Sequence, residues 1–285
     1  MMKSDCHMHM LLDGADWRAA IDGHRLTPDR ALIRTRLEAY AAAGFDYLRD
    51  GGDRWGVGEA AREMAGEYGI TYRTPLAPLC RKGHYGGFIG TPFADLREYT
   101  ELVKLTRRNG GDFIKIMISG LMDFDCCGRL TEEGLPPSEI TELIRIAHGE
   151  GFSVMAHANG ARTVEAAAKA GVDSVEHGAY LDRNALEAMA DNGTIWCPTL
   201  STIGNLRGKG RFDEGAVTEI YRGAVENLRA FAAMGGLIAP GSDAGAWSVP
   251  HVRGSLDEYD HLKAALGENR DSVLARGTRM IRRKF

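Results

Sequence analysis

Short apolar runs of strand character alternate with longer amphipathic runs along this chain, and that alternation limits the fold more than any other feature. Strand-like runs lie at 5–10, 45–50, 70–76, 113–118, 152–156, 173–176, 194–199 and 237–241. Helix-like runs fill the intervals at 28–43, 58–68, 95–109, 138–150, 161–170, 183–191 and 214–234, and two more follow at 255–266 and 270–282. The punctuation agrees with this division. Thr27-Pro28 opens the first of these helices, and Gly44, Gly69, Gly171 and Gly193 stand where helices should stop. Strands separated by helices are joined by crossovers, which make neighbouring strands parallel. Eight such units in 285 residues fit a (β/α)8 TIM barrel, an α/β fold. A doubly wound open sheet is the structural competitor, but its glycine-rich phosphate turn is missing after the first strand. No linker or shift of composition divides the chain, so residues 1–285 read as a single domain.

The totals remove several classes of function. Net charge is −4 with acids and bases interspersed, and no basic stripe carries interleaved aromatics, so nucleic acid is not an expected partner. No uninterrupted apolar run reaches the roughly 18 residues of a membrane span. The first residues lack the apolar centre of a secretory signal, which makes the expected location cytoplasmic. The cysteines (Cys6, Cys80, Cys126, Cys127 and Cys197) are odd in number and none has Cys-x-x-Cys spacing, so neither a disulfide framework nor a zinc ribbon is indicated.

In a barrel of this kind the chemistry gathers at the C-terminal ends of the strands. There the chain places His7 and His9, then Lys115, His157, His177 and Asp243. Residues two apart on a strand share a face, so His7 and His9 can grip one ion with two imidazoles. A buried histidine by itself is more often a hydrogen-bonded core residue, and an aspartate among small residues is often a cap. Lys115 is different. Alternation sends Ile114, Ile116 and Ile118 toward the covering helices and Phe113, Lys115 and Met117 into the barrel. An inward ammonium needs a carboxylate partner or a chemical change.

The segments Asp5-Cys6-His7-Met8-His9, Asp112-Phe113-Ile114-Lys115-Ile116, His157-Ala158-Asn159-Gly160, Val175-Glu176-His177-Gly178 and Gly241-Ser242-Asp243-Ala244 together resemble the amidohydrolase superfamily. The likeness is strongest to the branch of imidazolonepropionase-like proteins and metal-dependent Xaa-Pro and Xaa-Arg/Lys dipeptidases. The run from Glu176 through Tyr180-Leu181-Asp182 to Pro198-Thr199-Leu200 is similar too. The resemblance implies two divalent ions. His7, His9 and Asp243 would hold the first, and His157 and His177 the second. Lys115, carboxylated by CO2 to a carbamate, would bridge them. It also implies that a hydroxide shared by the ions attacks the scissile carbonyl, with Asp243 as general acid and base. Zn is the first expectation for the ions, with Fe, Mn or Co as alternatives, because imidazole and carboxylate suit all of them. Members of that superfamily usually carry a β-sandwich ahead of His-x-His. Only six residues precede His7, so a barrel without that module is expected.

The expected activity is hydrolysis of an amide-type bond in a small molecule: a dipeptide, an N-acyl amino acid or a cyclic amide. Two rivals stay open. A deaminase of the same superfamily tends to carry a Glu three residues after the fifth-strand histidine, where this chain has Gly160. A catalytically degenerate metal-binding protein is the other. Specificity should lie in the loops after the strands. Arg81, Lys82, His84, Tyr85, Tyr180, Trp247 and His251 are the candidates there. Tyr180 and His251 come first because they lie close in sequence to proposed ligands, and His84 and Tyr85 follow. Homo-oligomerisation is an open expectation.

Overall fold

A computed structural model describes residues 2–285. Its strands are β1 (Lys3–Met8), β2 (Phe45–Asp50), β3 (Thr71–Arg73), β4 (Leu79–Arg81), β5 (Thr91–Phe93), β6 (Ile114–Met117), β7 (Val154–Ala158), β8 (Ser174–His177), β9 (Ile195–Cys197) and β10 (Leu237–Ile238). Every strand pairing is parallel. One sheet runs β1-β2-β3 and a second runs β10-β9-β8-β7-β6-β4-β5.

The regular ladders thus form two sheets rather than one continuous ring. Individual hydrogen bonds join them on both sides. Cys6 N donates to Pro240 O at 2.8 Å, Asp243 N to His7 O at 2.6 Å and His9 N to Ala244 O at 2.7 Å. On the far side Asp112 N donates to Thr74 O at 2.9 Å. Proline explains the interruptions, since it has no N–H for a ladder. Pro240 follows β10 closely, and Pro75 and Pro78 split the expected run 70–76 from β4. The segment 78–92, which falls between the expected strand 70–76 and helix 95–109, carries β4 and most of β5.

The expected helices form within three residues of their anticipated ends. Side-chain caps account for several starts. Asp29 accepts from the backbone N–H groups of Ala31 and Leu32, and Asp182 accepts from that of Ala185. An additional helix, Trp17–His24, begins at Asp16, whose carboxylate caps Arg18 and Ala19. No helix among the described residues is long and apolar enough to cross a membrane.

Alternation along β6 sorts its side chains as expected. Ile114, Ile116 and Ile118 pack with Ile140, Leu143 and Ile144 of the helix Pro137–Gly149. Each such buried side chain stabilises by roughly 1.5–3 kcal/mol. Phe113 instead joins Cys6, Tyr47, Met155, Ile195 and Cys197 in an inner cluster that Ile281 and Phe285 complete. This inner plug leaves the opposite, C-terminal ends of the strands free for polar groups.

Candidate active site

Six polar side chains meet at those strand ends. His7 belongs to β1 and His9 follows it. Lys115 lies in β6, His157 in β7, His177 ends β8, and Asp243 lies beyond β10. All six line one cleft of about 770 Å³. His7 and Lys115 are each only 1% exposed. His7 Nε2 and His9 Nε2 lie 3.4 and 3.3 Å from Asp243 Oδ1. The His7 ring is 5.1 Å from that of His177, which is 4.6 Å from that of His157.

Neighbouring groups fix which ring nitrogen faces the cleft. His177 Nδ1 shares a 2.8 Å hydrogen bond with Thr199 Oγ1, which leaves Nε2 free. His157 Nε2 donates to Gly120 O at 3.1 Å, which leaves Nδ1 with its lone pair. Burial pushes all four imidazoles well below their ordinary range, His9 and His157 to about 3. They are neutral at pH 7, the form that ligates metals. Burial also pushes Lys115 down to about 8 and Asp243 up to about 7.

The donor set fits a divalent ion. One ligand atom each from His7, His9 and Asp243 lies within 4.8 Å of the others. Both ring nitrogens of His7, Nδ1 of His9 and Nζ of Lys115 are buried without a hydrogen-bond partner. Buried polar atoms left in this state are costly, and together with the grouping of His7, His9 and Asp243 they suit a place built for a bound group. His177 and Asp243 also carry left-handed backbone, with φ of 69° and 58°.

Two residues behind this set were not singled out from the sequence. Glu176 Oε2 lies 3.0 Å from His7 Nδ1, although the pair lacks hydrogen-bond alignment. Its Oε1 pairs with Arg49 Nη2 at 2.8 Å, and both side chains are fully buried. Arg49 also donates from Nε to Cys6 O at 2.6 Å and from Nη1 to Ser174 Oγ at 2.9 Å. The signal was available: Arg49 shares the inward face of β2 with Tyr47, as Lys115 shares that of β6 with Phe113.

The loop candidates separate. Tyr85 lines the cleft, with its ring 4.8 Å from that of His157, and Trp247 lines it as well. His84 stands off the cleft wall, paired with Glu132. Tyr180 also lies off the wall and packs into the cluster of Met122, Ile203 and Leu206. His251 turns away: its Nδ1 meets Tyr40 OH at 3.1 Å and its Nε2 meets Leu12 O at 2.8 Å. With both nitrogens engaged it has a structural place. Nearness in sequence misled here, because the turn after Asp243 folds back over β1. Arg81 pairs with Glu139 at 3.4 Å, and neither it nor Lys82 reaches the cleft. Trp17, Arg18, Phe88, Arg211 and Phe212 line it instead.

Comparison with known proteins supplies a context for this geometry. No family model matches the chain. An Aspergillus niger ochratoxinase is 31% identical over 149 residues, which is 50% of this chain and 28% of that protein. A crystal structure of the ochratoxinase superposes with a TM-score of 0.76 at 21% identity, covering 97% of this chain and 70% of that one. A Xaa-Pro dipeptidase with bound methionine gives 0.76 at 20% identity, covering 99% and 75%. A prolidase complexed with N-methylphosphonate-L-proline gives 0.76 at 22%, covering 99% and 74%. The fold these proteins share with the chain is an α/β one with parallel strands. The chain spans under a third of the length of the curated ochratoxinase it matches, and its fold is similar to those of proteins described as a prolidase, a Xaa-Pro dipeptidase and an ochratoxinase.

Proposed function

We propose that the chain is a metal-dependent hydrolase of an amide-type carbon–nitrogen bond in a small molecule. We read the two parallel sheets as the halves of one (β/α)8 barrel, and residues 1–285 as one catalytic domain. The observation that carries the reading is the convergence of four neutral imidazoles, a buried lysine and an aspartate in one cleft. The activities for which the relatives are named support the same class.

In this reading His7, His9 and Asp243 would hold one divalent ion, and His157 and His177 a second. Lys115, carboxylated by CO2, would supply further oxygen donors. Zn is the first choice, with Fe, Mn or Co as alternatives. When bound, such ions polarise the scissile carbonyl and make water a competent nucleophile near neutral pH. The chain's own residues do the rest. Asp243 takes the proton of the attacking water on its carboxylate and returns it to the leaving nitrogen. Thr199 and Gly120 keep His177 and His157 turned with a lone pair into the cleft. Tyr85 covers the face of His157 and keeps bulk water from that side.

Elemental analysis with native mass spectrometry tests the metal reading. The expected result is about two ions per chain and a CO2-sized adduct on Lys115, and one ion without an adduct would sink the binuclear version. Asp243→Asn tests the chemistry. Removal of a proton carrier should lower kcat by at least ~100-fold while much of the metal stays. A panel of amides that shows no turnover dependent on Asp243 would favour a protein that binds metal without catalysis.

A further inference from the structure

The cleft rises from its floor along two aromatic walls. On one wall the rings step outward from His157 to Tyr85 at 4.8 Å, to Phe88 at 5.8 Å and to Trp17 at 5.4 Å. Burial falls along the same path, from 3% exposed at His157 to 40% at Trp17. The other wall groups Phe124, Phe212 and Trp247, with neighbouring rings 5.2 and 6.2 Å apart. Each wall ends in an arginine. The Arg18 guanidinium lies 4.2 Å from the Trp17 ring, and that of Arg211 lies 4.2 Å from the Trp247 ring.

Neither arginine has a carboxylate partner among the described residues, although most acidic groups at this rim are engaged. Asp16 caps a helix, Asp123 pairs with Arg129 at 3.0 Å, and Asp125 accepts from Asp213 N at 2.8 Å. Stacking on tryptophan holds each guanidinium in place while leaving its N–H edges free. The two guanidinium groups therefore stand at the mouth beside the backbone-bonded carboxylates of Asp16 and Asp125, separated from the reacting centre by a layer of aromatic rings.

We infer that the cleft selects amides with an aromatic body and an anionic group at the outer end, far from the scissile bond, and that Arg18 and Arg211 read that charge. The inference rests on the hydrolase reading of the floor, but it makes a different demand: charge beside the amide is not what these arginines reach. A guanidinium at a partly exposed rim should favour an anion by about three- to tenfold and lose that preference as salt rises.

Three probes separate the cases. N-acetylphenylalaninamide is neutral, its para-carboxylate derivative carries the distal charge, and N-acetylphenylalanine carries the charge beside the amide. Binding is followed by the fluorescence of Trp17 and Trp247 in wild-type protein and in Arg18→Gln, Arg211→Gln and the double variant, all metal-loaded. The expected result is a preference of about three- to tenfold for the distal carboxylate over the neutral amide at low salt. It should fall toward one in the double variant, whereas any preference for N-acetylphenylalanine should not follow the arginines. The inference is overturned by equal binding of the first two probes, by no binding of the distal carboxylate at millimolar concentration, or by a preference that survives in the double variant. Turnover of the same probes is scored separately. Arginine-dependent binding without hydrolysis would end the hydrolase reading and leave the selectivity standing.

Discussion

Arg49→Met is the substitution whose cost follows most directly from the geometry. Arg49 is fully buried and ties four strands together. It contacts Cys6 O in β1 at 2.6 Å, Ser174 Oγ and Glu176 Oε1 in β8 at 2.9 and 2.8 Å, and Cys197 Sγ in β9 at 3.4 Å, all from β2. Methionine fills much of the same volume, so cavity formation is a minor part of the loss. The larger part is electrostatic, because Glu176 would stay buried without its cation. Breaking a buried pair from one side costs about 3–5 kcal/mol, and each lost neutral hydrogen bond adds about 1 kcal/mol. A loss of about 5–7 kcal/mol at pH 7 is expected from the broken pair and the two bonds to Cys6 O and Ser174 Oγ together. Equilibrium urea unfolding followed by circular dichroism measures it. The companion Arg49→Met/Glu176→Gln removes both charges and should recover at least about 1 kcal/mol relative to the single variant. The reasoning fails if Arg49→Met costs under about 1 kcal/mol, or if the double variant is less stable than the single. Glu176 also lies beside His7, so both variants should bind divalent metal more weakly than wild type.

Two other perturbations address the site and the scaffold separately. In Gly51→Ala the new Cβ would stand 2.2 Å from His9 Cε1, so the imidazole must move. Metal content measured by elemental analysis should fall while the urea midpoint shifts little; full occupancy would show that His9 is not needed as a ligand. Glu258 is a case of pH linkage. Burial raises its carboxyl from the ordinary 4.5 to about 8 in the folded protein. Between those values the native state holds a proton that the unfolded chain has lost, so wild-type stability declines as pH rises through the window. Glu258→Gln removes the titration and should gain on wild type in melting temperature from about pH 5 to about pH 9, and parallel curves would contradict the assignment.

Much of the scaffold was legible because period and punctuation act locally. The helix Arg183–Asp191 begins and ends where the pattern puts it, and β6 faces its isoleucines outward as alternation requires. The cleft's floor was legible for a related reason: a charged or chelating side chain on the inward face of an apolar strand is costly to keep there unless it binds something. Its upper wall was not. Trp17 and Arg211 lie in segments without strand periodicity, and only the folded chain brings their helix and loop over the same opening. His251 shows the reverse error, since closeness in sequence to Asp243 says nothing about which way a turn folds. The split into two sheets is a matter of single prolines, whose missing N–H groups interrupt a ladder without disturbing the path of the chain.

The left-handed backbone at His177 and Asp243 bears on how such a chain would age. Aspartate visits that region more readily than most residues, and glycine enters it without penalty. Holding a histidine there costs about 1–3 kcal/mol that packing elsewhere must offset. Under the proposed function, selection for folding and selection for chemistry pull position 177 in opposite directions. A descendant released from the proposed reaction would gain stability from glycine at that point sooner than at the other proposed ligand positions. Glycine in place of this histidine and of the aspartate beyond β10 would be the mark of a lineage that has kept the architecture and given up the reaction.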